Sequence, residues 1–169
     1  MSITIDATVS GTSSNSYATL AEATAYFEVY QRFYSTWTGL TTAQQNAWLV
    51  QSCKAIDRMS FVDEKYYDTQ ALEFPKTITD QSTDAGDMPQ KVKDAQCEMI
   101  MWLYQRTSST DGSPDRTPNE IGLGKGSISL KYPEYAETNR ALAGGYPESV
   151  RSLLRTWLKS SHNIEISRA

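Results

Sequence analysis

Four stretches repeat apolar residues at helical spacing, and they limit the fold more than any other feature of the chain. In TLAEATAYFEVYQRFY, which starts at Thr19, residues Leu20, Ala23, Phe27, Tyr30 and Tyr34 fall on one face of a helix. Thr19 can cap this helix, and Glu22, three residues on, can reach back to it, the pattern of a capping box. TTAQQNAWLVQSCKAIDRM repeats the arrangement, with Thr42 and Gln45 as the box and Trp48, Leu49, Cys53, Ile56 and Met59 as the apolar face. Gly39 separates these two helices, which should pack as neighbours. MPQKVKDAQCEMIMWLYQR carries Pro89 in its first turn, where a missing N–H costs nothing, and lines one side with Val92, Ala95, Met99, Trp102 and Leu103. YPESVRSLLRTWLKSS closes the set with Val150, Leu153, Leu154, Trp157 and Leu158.

The segments between them read as irregular or extended. The first 18 residues are polar, with an alternation at Ile3 and Ile5 that suits an edge strand. After Phe61, Pro75 halts any regular element and biases Phe74 toward extended geometry. DQSTDAGD is a loop by composition, and TSSTDGSPDRTPNEIG is the clearest linker. The tail HNIEISRA alternates Ile164 and Ile166 as an extended arm would. We find no internal repeat. The expected architecture is mainly α: a bundle of three to four helices with a small β element and extended terminal arms. Residues 1–106 supply an N-terminal arm and a three-helix core. Residues 107–121 are a polar linker, and 122–169 add the β element, the C-terminal helix and the tail to the same single domain.

The stretch GLGKGSISLKYPEY, from Gly122 to Tyr135, invites a phosphate-binding reading. A P-loop requires Gly, four residues, then Gly-Lys and a hydroxyl residue that runs into a helix. Here Gly126 occupies the hydroxyl position, Asn119 replaces the first glycine, and Ser127 to Tyr132 alternates as a strand. The dinucleotide fingerprint fails too, because no strand-then-helix frame surrounds the glycines. The stretch reads as a glycine hinge feeding a strand over 127–132, ended by Pro133.

Other chemistry is equally sparse. Two cysteines and one histidine cannot build a four-ligand zinc site; Cys53 and Cys97 read as small buried hydrophobes and His162 as an exposed tail residue. The carboxylates Asp57, Asp63, Glu64 and Asp68 match no cation-loop spacing and read as solvated surface. Lys65 beside Tyr66 and Tyr67 could stack on single-stranded bases, although two core tyrosines are the plainer reading. Arg151, Arg155 and Lys159 recur every fourth residue on one helix face, either solvated or facing an acidic surface or phosphates. No catalytic constellation, cofactor site or metal site is expected.

Composition narrows the partners. Hydrophobic residues make up 39% of the 169 residues, against roughly 45–50% in typical domains on a closely similar set, so the core should be modest. The 11% aromatic content argues against a disordered chain. With 20 acidic and 16 basic residues the net charge is −4, which disfavours a tight grip on nucleic acid over a broad surface. Without a signal-peptide pattern or a long apolar run, the chain reads as intracellular and soluble.

The runs NSYATLAEATAYF, AWLVQSCKAIDRMSF, QALEFPK and MPQKVKDAQCEMIMWLY, followed by GKGSISLKY and YPESVRSLLRTWL, have an order and spacing similar to those of the tailed-phage head–tail adaptor proteins. These are also called connector or head-completion proteins, and some members carry the label DnaT-like single-stranded-DNA-binding protein. The resemblance covers Asn15 to Leu158 and departs from the family in 107–121 and in the tail. It implies a structural virion protein that assembles in the host cytoplasm and sits in the neck between capsid and tail. Such proteins form a ring, usually of twelve copies, below the portal. The ring extends the channel for double-stranded DNA, without sequence-specific binding, and offers a platform to the next neck or tail-completion protein. The C-terminal segment commonly reaches the portal, which here corresponds to Trp157 to Ala169. Arg151, Arg155, Trp157, Lys159, Ile164, Ile166 and Arg168 are therefore portal-docking candidates, the two isoleucines by adding an edge strand to a partner sheet. Lys125, Ser127, Ile128, Leu130 and Tyr132 are candidates for a contact between subunits or for a channel loop. The alternative is a single-stranded-DNA-binding replication protein, which the few, scattered basic residues disfavour.

Overall fold

Thr19 opens the first helix as its sequence predicts. Its hydroxyl accepts the Glu22 N–H, and the Glu22 carboxylate accepts the Thr19 N–H at 2.7 Å. The computed structural model describes residues 3–77, 87–108, 120–124, 127–131 and 146–159. Helix α1 spans Leu20–Val29. The single helix expected to reach Tyr34 instead breaks at Tyr30, whose backbone (φ −90°, ψ 73°) leaves the helical region. Helix α2, Gln31–Gly39, starts afresh. The break has a packing reason: six residues along a straight helix, Phe27 and Phe33 would face different directions. With the break, Phe33 and Trp37 both meet Phe27, at centroid distances of 5.0 and 4.8 Å. The Trp37 indole N–H donates to Thr24 Oγ1 at 3.0 Å.

Helix α3 spans Thr42–Asp57 and is capped by Thr41 with Gln44, one residue before the expected pair Thr42 and Gln45. Paired threonines and paired glutamines offer the same box in two registers. The chosen one frees the Gln45 amide to donate to the Trp37 carbonyl at 2.9 Å, closing the end of α2. Helix α4 spans Gln90–Ser108, with Pro89 immediately before it. Strands β1, Glu120–Gly124, and β2, Ser127–Lys131, pair antiparallel with Leu123 opposite Ile128. Helix α5 spans Glu148–Leu154. The chain is thus mainly helical, as expected.

Three corrections follow. β1 occupies residues read as linker and hinge; its alternation of Ile121 and Leu123 with glycines reads equally as a flexible stretch. Both ends of the 107–121 linker lie in regular elements, since α4 runs to Ser108 and β1 begins at Glu120. Ile3 and Ile5 form no strand. The Asn15 side chain takes the place of a pairing strand there, accepting from the Asp6 N–H and donating to the Thr4 carbonyl, both at 2.9 Å. DQSTDAGD (all but its last aspartate), Lys125, Tyr132, Pro133, His162, Ile164, Ile166 and Arg168 lie outside the described residues.

Helix α4 organises the interior from the middle. Val92, Ala95 and Met99 join Cys53, Ile56, Phe61, Phe74, Val150, Leu154 and Trp157 in one apolar cluster. Cys97 and Ile100 join Ala23, Phe27, Phe33, Trp37 and Leu49 in a second. Gln96 sits between them with no exposed surface. Its Oε1 accepts the backbone N–H groups of Tyr17 and Ala18 at 3.0 and 2.9 Å. Its Nε2 donates to Ser16 Oγ and to the Leu49 carbonyl at 2.9 and 2.8 Å. One side chain thereby ties the N-terminal arm, α3 and α4 together.

Gln96→Leu fills the space but leaves the Tyr17 and Ala18 N–H groups buried and unpaired, each at a cost of about 1–3 kcal/mol. We expect a loss of about 3–5 kcal/mol in urea unfolding. A loss below about 1 kcal/mol would remove Gln96 as the tie.

Candidate functional site

The segment from Phe61 to Thr77 folds back on itself beside the end of α3. Lys65 bridges to Lys76, the Tyr66 N–H donates to the Pro75 carbonyl at 3.0 Å, and the Thr77 N–H donates to the Glu64 carbonyl at 3.1 Å. The Phe74–Pro75 peptide bond is cis. Gln70, buried inside the fold-back, accepts from the Tyr67 N–H and donates to the carbonyls of Leu72 and Pro75. Lys76 is buried with its Nζ 2.6 Å from Glu73 Oε2 and over the rings of Phe61 and Phe74, at 5.1 and 5.8 Å. Lys65 Nζ lies 3.5 Å from the other Glu73 oxygen. This arrangement holds the Glu73 carboxyl below its usual range against the opposing effect of burial, chiefly through the Lys76 bond.

Asp57, expected at the solvated surface with Asp63, Glu64 and Asp68, is largely buried in the last turn of α3. It accepts from the Tyr17 hydroxyl and from the Glu73 N–H. Burial raises its carboxyl above the usual range, only partly offset by those bonds. The same burial, with the Asp57 charge adding to it, pushes the Tyr17 phenol up. Among the described residues no group of three or more His, Cys, Asp and Glu comes together to hold a metal ion. Cys53 and Cys97 are buried free thiols, pushed up by burial.

The proposed basic-aromatic triad is split. Lys65 faces inward to Glu73 and to the carbonyls of Gln70 and Ala71. Tyr67 is 53% exposed and not a core residue as expected, while its ring meets Tyr66 edge-on at 4.7 Å. The docking candidates separate as well. Arg151 and Arg155 are exposed on and just after α5, but the helix ends at Leu154, so Lys159 does not continue their face. Lys159 lies in a short extended stretch, its N–H donating to the Ser60 carbonyl at 3.0 Å beside the Phe61–Leu158 bridge. Trp157 is wholly buried and packs edge-on to Phe74 at 5.3 Å. Its ring is not available at the surface. Ser127, Ile128 and Leu130 lie in β2.

Sequence reasoning missed a groove of about 530 Å³ where the α1–α2 break faces α4 and the start of α5. Tyr30, Phe33, Glu98, Met101, Trp102, Gln105, Pro147 and Ser149 line it. Tyr30 is 48% exposed and stacks on Tyr26 at 4.7 Å with an interplanar angle of 20°. The Tyr26 hydroxyl donates to Glu98 Oε1 at 2.8 Å. Arg106, one turn beyond Trp102, lies 4.7 Å over that indole ring. The Trp102–Arg106 spacing was visible in the sequence; the break that brings Tyr30 opposite was not.

The sequence matches, over residues 1–169, the family described as putative DnaT-like ssDNA binding protein, and the chain belongs to that family. Neither a curated protein nor a solved structure matches it.

The Asp57–Tyr17 pair gives a pH test. A carboxyl raised in the folded state contributes most below its ordinary range, and that contribution is lost as pH rises through the raised value. Asp57→Asn keeps an acceptor for the Tyr17 hydroxyl and removes the buried charge. The variant should exceed the parent in stability near about pH 7, with the gap closing as pH falls toward about 4. Tyr17→Phe removes the hydroxyl donor and leaves the buried carboxylate only the Glu73 N–H, and should cost about 1–3 kcal/mol. Chemical denaturation across this range checks both. A gap that does not change with pH would show that Asp57 carries no burial penalty.

Proposed function

We propose that this family member is a structural protein, a head–tail adaptor subunit that forms a ring below the portal of a tailed phage and works through its surfaces. The observation that carries this reading is the ordered set of segments between Asn15 and Leu158. The segments that resemble those of the adaptor proteins are those that build the two apolar clusters, from Tyr17 and Phe27 through Cys53 and Met99 to Trp157. In this reading α5 and the residues after Lys159 face the portal, with Arg151 and Arg155 exposed to meet an acidic surface. A net charge of −4 avoids a strong electrostatic trap for passing phosphates. A closed ring would use a heterologous contact between neighbours.

The second reading, single-stranded DNA binding, rests on the family description itself, which speaks for it rather than for the adaptor. The exposed rings of Tyr30 and Tyr67 add to it, since bases stack on aromatic faces. Against it stand the lysines already paired with carboxylates. Lys65 and Lys76 pair with Glu73, and Lys93 pairs with Glu22 at 2.6 Å, which leaves fewer cations for phosphates.

Light scattering and negative-stain imaging with a purified portal should show rings or portal-bound subunits. Removal of residues 161–169 should abolish docking while the unfolding midpoint stays unchanged. Fluorescence anisotropy with labelled oligothymidylate over a salt series should show no sub-micromolar affinity. Tight, salt-dependent binding without portal docking would transfer the function to the second reading.

A further inference from the structure

We infer that the groove between the α1–α2 break and α4 is a receptor for an arginine side chain displayed by a partner protein. The argument is one of charge and shape. Among the described residues lining the groove, Glu98 carries the one formal charge, and it is negative. Its Oε1 accepts the Tyr26 hydroxyl, which fixes the carboxylate in place. Tyr30, Phe33 and Trp102 line the same groove. An acid beside aromatic faces suits a cation, because the ring quadrupole and the carboxylate attract the same charge. It disfavours phosphate for the same reason.

Arginine fits better than lysine. A guanidinium is planar, stacks on rings, and presents several N–H donors in one plane. Glu98 and the Gln105 side-chain carbonyl are acceptors on the groove wall. Tyr30 is already stacked on Tyr26, so its ring is held in place before any partner arrives, and it is 48% exposed at the rim. Trp102 already carries one guanidinium, that of Arg106, at 4.7 Å. The newcomer therefore rests on Tyr30 and Glu98, with Phe33 closing the groove floor. This inference does not depend on which of the two functional readings holds.

The test uses the full chain, labelled with ¹⁵N, and follows the Trp102 indole N–H during titration with N-acetyl-arginine amide and, separately, N-acetyl-citrulline amide. Citrulline keeps the shape and loses the charge. We expect saturable shifts with arginine and none with citrulline, weakened at least about tenfold by Glu98→Gln, as for loss of a charge-assisted hydrogen bond. The side-chain carbonyl of that variant would still accept the Tyr26 hydroxyl, so the fold should survive. Tyr30→Ala, at an exposed position, should weaken binding with an unchanged unfolding midpoint. Equal response to both probes, no response to either, or full binding by Glu98→Gln would each overturn the assignment. So would displacement of the arginine probe by oligothymidylate, or groove signals that shift with protein concentration alone.

Discussion

The structure hangs on a buried amide. Gln96 lies where the two apolar clusters, the N-terminal arm and α3 meet. The arm arrives there with two backbone N–H groups, from Tyr17 and Ala18, that precede the first helix and have no ladder to join. Burial without a partner would be costly for each. The Gln96 carbonyl takes both, and its amide N–H groups satisfy Ser16 Oγ and the Leu49 carbonyl. A hydrophobe at this position would pack as well and satisfy none of them. The arm is therefore fixed by polar geometry, and only then does Tyr17 stand where its ring meets Phe74 edge-on at 5.8 Å.

A second consequence runs toward the C-terminus. Tyr17, Phe61 and Trp157 all pack edge-on against Phe74. The backbone follows the rings: the Val62 N–H donates to the Trp157 carbonyl at 2.8 Å and the Lys159 N–H to the Ser60 carbonyl at 3.0 Å. The last described residues are thus tied to the 61–77 fold-back and, through Tyr17, to the arm. The Lys76–Glu73 pair inside the fold-back is weak evidence for net stability, since desolvation opposes the attraction. Its geometry does restrict how the segment packs, because an unpaired Lys76 at this depth has no alternative partner but the rings around it.

The helices were legible because their apolar residues recur at helical spacing and their caps use residue types that do little else at those positions. Thr19 with Glu22 was read to the residue; Thr41 with Gln44 was missed by one because TTAQQ offers two equivalent registers. The break at Tyr30 was not legible, since TAYFEVYQRFY keeps its periodicity through the break and only the meeting of Phe27 with Phe33 and Trp37 decides it. β1 hid behind its glycines. Asp57 and Lys65 were misread for a shared reason: a charged residue in a polar-looking stretch gives no local sign of a distant partner, here Tyr17 forty residues earlier and Glu73 eight residues later. Gln96 was passed over within a helix whose neighbours Ala95 and Cys97 draw attention to packing.

These misreadings bear on function. Of the residues singled out in the sequence, Asp57 is engaged with Tyr17, Lys65 forms a partly exposed pair with Glu73, and Trp157 lies in the core, while Cys53 is buried as expected. What reaches the surface is Arg151 and Arg155 on and just after α5, both docking candidates from the sequence, and the aromatic groove with Glu98, which the sequence did not reveal. Both lie along or beside α5, whose beginning borders the groove, and the stretch after it is held by the Lys159 N–H on the Ser60 carbonyl and the Phe61–Leu158 bridge. α5 is short and draws its hold from Val150 and Leu154 against α4, with Trp157 just beyond it buried in the same cluster. α5 therefore packs directly on α4, the helix that carries Gln96, Glu98 and Trp102.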